Sequence, residues 1–153
     1  MSYQFEIQEQ LTRPALSIRA RTPAQALPQV IAEAIGTIMA YLDSLGERPS
    51  GPSFVAYYNR DMNDLDIEIG FLIARPLLGN DRVQASELPH GKVATCLFVG
   101  PYSEMAPAYA ALAAWVKEQG YEPTGTSYEF YFDDPSRTPA AELRTEIAFP
   151  LKS

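Results

Sequence analysis

The sequence predicts an α+β domain: a duplicated β-β-α-β-β unit forming an eight-stranded antiparallel sheet with two helices, in pseudo-twofold arrangement. Three observations carry this expectation. The first is an internal repeat. Gly46, Pro49 and Gly51 recur 74 residues later as Gly120, Pro123 and Gly125. Glu68-Ile69-Gly70-Phe71 returns 78 residues later as Glu146-Ile147-Ala148-Phe149, and Pro23 as Pro101 at the same offset. The two offsets differ by four residues. Before the glycine-proline loop the first half is therefore longer by about one helical turn, and the second half recovers those residues between its last two strands. The second observation is two-residue alternation of apolar side chains, the mark of half-buried strands. The third is two stretches of helical spacing, each closed by a glycine.

In the first half, Tyr3, Phe5 and Ile7 alternate with polar residues, and Leu16, Ile18 and Ala20 resume the alternation after Arg13-Pro14. Thr22, Pro23 and Gln25 read as a capping box with proline at the first helical position. Leu27, Val30, Ile31, Ala34, Ile35, Ile38 and Leu42 share one helical face. Pro28 conflicts with a helix starting at Pro23 and moves the regular helix a few residues later. Gly46 ends it. Strands near 53–59 and 66–73 follow. In the second half, 83–88 and 92–99 read as a hairpin around Pro89-His90-Gly91. Ser103 is placed to cap a helix bearing Met105, Ala108, Tyr109, Leu112, Trp115 and Val116, and Gly120 ends it. Strands near 127–133 and 143–151 close the chain, with a two-proline loop between them. No linker or low-complexity tract separates the repeats, about 1–78 and 79–153. They are read as one domain over 1–153, with any ligand pocket expected between the repeats.

The chain has 153 residues, 46% hydrophobic and 20% charged, with a formal net charge of −7. This is the composition of a folded domain, large enough to bury a core unaided. An acidic surface does not attract phosphate backbones, so direct nucleic-acid binding is not expected. A single cysteine, Cys96, excludes an intrachain disulfide. No stretch approaches the roughly 18 consecutive apolar residues of a membrane helix, and residues 1–10 lack a basic then apolar leader. The expectation is a cytoplasmic protein without membrane contact.

The single histidine and single cysteine cannot supply a usual zinc ligand set, and no phosphate loop, dinucleotide fingerprint or nucleophile elbow is present. No metal and no cofactor are expected. His90 reads as a turn residue and Cys96 as core. The segment Tyr128-Glu129-Phe130-Tyr131-Phe132-Asp133 offers more. As a strand it turns Ser127, Glu129, Tyr131 and Asp133 one way and Tyr128, Phe130 and Phe132 the other, the aromatics being expected to pack under a helix. The repeat aligns Glu129 with Val55, Tyr131 with Tyr57 and Asp133 with Asn59. Glu129 then has two readings: a solvated sheet face, or a carboxylate flanked by tyrosines that anchors a cation. Glu146 reads as an outer-face residue or an ion-pair partner of Arg144. Glu68 is open between that and lining the same surface as Glu129. Trp115 and Tyr109 follow core spacing, although a helix over a pocket can do both. Tyr102, after Gly100-Pro101, is placed to cover a pocket edge.

These residues carry a resemblance. Gly100-Pro101-Tyr102, Trp115, Gly120-Tyr121-Glu122-Pro123, the 129–135 segment and the closing strand Leu143 to Pro150 resemble the GyrI-like family, the effector-binding domain of AraC-type and MerR-type multidrug regulators. Tyr57-Tyr58-Asn59 and Asp66 to Phe71 fit as well. The resemblance spans essentially the whole chain as a stand-alone domain. It implies binding of hydrophobic, often cationic or aromatic organic molecules between the repeats, with a buried glutamate at Glu129. Together with the strand faces and corner positions above, the expected ligand-contacting set is Glu129, Tyr131, Tyr57, Asn59, Glu68, Tyr102 and Trp115. Two alternatives follow from the same family. One is a hydrolase like the cyclopropanoid cyclohydrolases, with Glu129 as general base and Tyr131 assisting. The other is a protein-binding inhibitor such as a gyrase inhibitor.

Overall fold

The computed structural model describes residues 3–153; residues 1 and 2 of the expected domain span lie outside them. Eight strands and two α-helices run in chain order: β1 (Phe5–Gln10), β2 (Arg13–Thr22), α1 (Leu27–Ser44), β3 (Ser53–Tyr57), β4 (Leu65–Leu72), β5 (Gln84–Leu88), β6 (Gly91–Val99), α2 (Ala106–Glu118), β7 (Ser127–Tyr131) and β8 (Arg144–Pro150). The α+β class and the strand and helix content of each repeat are as the sequence predicts.

The chain folds as two compact units. One is Leu11–His90, and the other joins the described residues up to Gln10 to Gly91–Ser153. Within the first, the antiparallel strand order is β3-β4-β2-β5; within the second it is β7-β8-β6-β1. The two orders are the same topology. Each repeat's helix crosses from its second strand to its third, and its fourth strand slots between those two.

The edge strands are where the sequence reading fails. β5 and β6 do not form the expected hairpin: β5 pairs with β2, Leu16 opposite Ala85, and β6 pairs with β1, Ile7 opposite Ala94. The linking residues explain this. A two-residue hairpin needs positive φ at its central positions. Pro89 is held at negative φ by its ring, and no non-glycine residue among those described has positive φ.

Both helices bury a stripe at spacing four: Ala34, Ile38 and Leu42 in α1, and Ala108, Leu112 and Val116 in α2. In the first unit, Ile38 and Leu42 pack on Leu16, Ile73 and Val83. In the second, the α2 stripe packs on Ala94, Cys96, Phe98, Ile147 and Phe149. Burial raises the Cys96 thiol to about 11, which keeps it an inert core group. The two helices also stop in the same way. Gly46 and Gly120 adopt positive φ, and the next amide returns to the carbonyl five residues back, Glu47 to Leu42 and Tyr121 to Val116.

The helix starts correct two expectations. Thr22 caps nothing; it ends β2 and its hydroxyl donates to the Pro23 carbonyl. A short 3-10 turn precedes each helix, and Ala26 and Met105 then occupy the N-cap positions without a side-chain cap. Ser103 lies inside the second of these turns, too early to cap α2. Pro28 and Pro107 fall in the first helical turn, where a missing N–H costs nothing.

Candidate functional site

β7 sets the site through its alternation. Register places Glu129 beside Ile147 and Tyr131 beside Thr145, so Glu129 and Tyr131 share the sheet face that packs on α2. Tyr128 and Phe130 are buried on the opposite face, their rings stacked with centroids 6.1 Å apart, and Phe132 is exposed. The expectation that these three aromatics pack under a helix is overturned. The residues under the helix include a carboxylate.

Both Glu129 oxygens are engaged. Tyr131 donates its hydroxyl to Oε1 at 2.6 Å, and Tyr109, from the first turns of α2, donates to Oε2. The Tyr109 ring packs tilted against Phe149, with centroids 5.7 Å apart. Tyr102 meets Tyr131 edge-on at 5.6 Å. The result is a half-buried carboxylate bounded by three tyrosines. Burial pushes the Glu129 carboxyl above the ordinary range, and the two phenol donors oppose that shift without cancelling it. Burial also raises the Tyr102 phenol, helped by the negative charges of Asp133, Glu129 and Asp134.

Tyr109 does pack against the core, as its spacing predicts, but its bond to Glu129 was missed in the sequence. The available signal was its setting: between Ala106 and Ala114 it is the one side chain with a hydroxyl-tipped ring, on a helix otherwise rich in alanine. Thr145 was also missed. Its hydroxyl is fully buried beside Tyr131 and finds no hydrogen-bond partner among the described residues. Since an unsatisfied buried hydroxyl costs about 1–3 kcal/mol, Thr145→Val is expected to raise stability by about 1 kcal/mol in a urea titration.

The other expected site residues have different surroundings. Trp115 is half-buried and stacks on Phe5, with centroids 5.3 Å apart. It ties β1 to α2, so Trp115→Ala is expected to cost about 3 kcal/mol by chemical denaturation, the low end for a packed aromatic. Tyr57 ends β3 beside Ile67, half-buried. Asn59 closes the β3–β4 turn, donating to the Asp64 carbonyl and accepting from the Asp66 amide. Asp133 is held by the Arg144 guanidinium and amide, so Arg144 pairs with Asp133 and not with Glu146.

Glu68 lies on the face of its unit opposite α1, where it accepts from Ser17 and Ser86 at 2.6 Å each and from Tyr58 at 2.5 Å. Arg19 stacks 4.2 Å above the Tyr58 ring and is bonded to Asp66. This buried network joins three strands of one unit. Glu146 sits across from Leu97 and Phe130, on the face opposite Glu129. This is the outer face, one of the two readings expected for Glu146: it precedes Ile147, which packs on α2, and residues one apart on a strand point to opposite faces. Among the described residues no three His, Cys, Asp or Glu side chains converge as a metal site, and no helix is long and apolar enough to cross a membrane.

Residues 3–152 match the GyrI-like small molecule binding domain. The chain belongs to this family. A DNA gyrase inhibitor 2 from Dickeya dadantii is 39% identical over 64 residues, an alignment covering 41% of this chain and 40% of that protein. Among solved structures, the C-terminal domain of EcmrR superposes with a TM-score of 0.81 at 23% identity, covering 100% of this chain and 99% of that one. SAV2435 bound to tetraphenylphosphonium gives 0.66 at 14% identity, with coverage of 100% and 95%. A hydrolase from Listeria innocua gives 0.70 at 13% identity, with coverage of 97% and 92%. At these identities the structural likeness establishes the fold. Family membership makes this GyrI-like chain a small-molecule-binding domain.

Proposed function

We propose that this domain captures hydrophobic organic cations at Glu129. The observation that carries the reading is the carboxylate itself: half-buried, held by Tyr109 and Tyr131, and without a cation bonded to it among the described residues. A carboxylate in this setting is under-compensated. A delocalised organic cation supplies the missing charge, and the tyrosine rings supply apolar and cation–π contact. The match of a structural neighbour solved with tetraphenylphosphonium makes that ion a natural probe. Calorimetric titration of the wild type and Glu129→Gln with tetraphenylphosphonium tests the reading. Unchanged affinity in the variant would overturn it.

The raised Glu129 carboxyl also favours a second reading, a hydrolase in which Glu129 accepts a proton from water while a tyrosine hydroxyl steadies a substrate carbonyl. The two readings separate on turnover. A hydrolase would consume a bound electrophile catalytically and lose that ability in Glu129→Gln, whereas a binder would return its ligand unchanged.

A further inference from the structure

On the sheet face opposite α2, the unit containing β1, β6 and β8 carries a recess of about 290 Å³. Its floor is β6, where Thr95 and Leu97 point the same way two residues apart. β1 and β8 form its walls. Register sets Glu6 beside Thr95 on one side and Glu146 beside Leu97 on the other. Two carboxylates therefore flank one strand from opposite sides.

Among the described residues neither carboxylate is hydrogen-bonded or ion-paired to a cation. Arg144 lines the same recess, and its guanidinium is committed to Asp133 through two bonds of 3.0 and 3.1 Å. Glu6 takes a 2.8 Å bond from the Gln8 amide, a neutral donor. Among the described residues, no side chain hydrogen-bonds or ion-pairs with Glu146. Burial and the charge of Glu6 both push its carboxyl above the ordinary range. A second, independent feature is Thr95. It is only 5% exposed, yet it lines the recess, and its hydroxyl has no hydrogen-bond partner among the described residues.

We propose that this recess is a binding site for a primary alkylammonium, separate from Glu129 and independent of the cation-capture reading. The donor count fits. An ammonium carries three N–H donors and no acceptor, and Glu6, Glu146 and the Thr95 hydroxyl give the recess three acceptors in its lining. Leu97, exposed beside them, provides apolar surface for the alkyl chain. A quaternary ammonium has no N–H to give. Divalent metal ions are poorly served by two carboxylates on separate strands, since calcium takes six to eight oxygens.

Butane-1,4-diamine is the probe, titrated by calorimetry with amide chemical shifts followed in parallel. Saturable binding is expected, with shifts centred on Thr95, Leu97 and Glu146. Glu146→Gln and Glu6→Gln should each weaken it at least tenfold, and Thr95→Val about threefold. Glu129→Gln should leave it unchanged, while Glu146→Gln should leave tetraphenylphosphonium binding unchanged, so either site can fail without the other. Absence of saturable binding overturns the proposal. So does equal binding by tetramethylammonium, tighter binding of calcium, or full affinity in both folded glutamine variants.

Discussion

Replacing Glu129 with glutamine is expected to weaken tetraphenylphosphonium binding roughly ten- to a hundredfold while leaving the fold intact. The magnitude is that of a charge-assisted contact in a desolvated site, about 1.5–3 kcal/mol. Glutamine keeps the shape of the side chain, and its amide can still meet the Tyr109 and Tyr131 hydroxyls, which both donate and accept. Only the charge is removed. A neutral ligand of similar shape, such as tetraphenylmethane solubilised at low concentration, should bind both proteins alike.

The same carboxyl gives this result a pH signature. Burial raises the folded-state pKa of Glu129 above its ordinary value. A cationic ligand selects the ionised form, so affinity should climb as pH rises from the ordinary carboxylate range through the raised value, then level off. Glu129→Gln should show no such climb. Stability runs the other way. A carboxyl with a raised folded pKa supports the fold fully below its unfolded pKa and loses that support as pH rises through the folded value. Glu129→Gln should therefore gain on the wild type over that window and at neutral pH be neutral or slightly stabilising. Denaturation curves at acidic and neutral pH, set beside calorimetry at the same values, check both signs. A variant that unfolds while keeping its preference for the cation would make Glu129 a structural residue.

Gly70→Ala is expected to destabilise the protein by about 3 kcal/mol or more, the largest stability effect anticipated here. A Cβ at Gly70 would lie 2.7 Å from the Leu16 carbonyl oxygen and 2.7 Å from the Phe54 ring. The carbonyl belongs to β2, and Phe54 is fully packed on β3. Neither can withdraw without breaking a ladder: β2 and β3 both pair with β4 around Gly70. Overpacking by one methyl ordinarily costs about 1–3 kcal/mol, and more where backbone must move. Guanidinium unfolding measures this directly. Gly36→Ala is the control, because nothing lies within 4 Å of a Cβ there and the site is helical; it should stabilise slightly.

Phe71 and Phe149, or Gly46 and Gly120, show what could be read from the chain alone. Their positions recur because each repeat is a complete chemical instruction: alternation for strands, a four-residue stripe for a helix, a left-handed glycine to stop it. Those signals are local, and the strands and helices of each repeat followed them. Membership of the GyrI-like family was legible too, since it rests on short motifs that sit in the sequence as they stand.

The partners of those elements were not legible. Alternation tells that Glu129 and Tyr128 point opposite ways, but not which of them faces the helix. That is settled by the register of β7 on β8, which aligns Glu129 with Ile147 and places it under Tyr109. Nor does alternation say with which strand an edge strand pairs. Pro89 denies β5 and β6 a tight hairpin, and each finds a partner distant in sequence, β2 and β1. Sequence fixes what each segment prefers within a few residues, through sterics and burial. Long-range pairing alone decides which hydroxyl meets which carboxylate, because hydrogen bonds between strands are set by register and a shift of one residue exchanges the two faces.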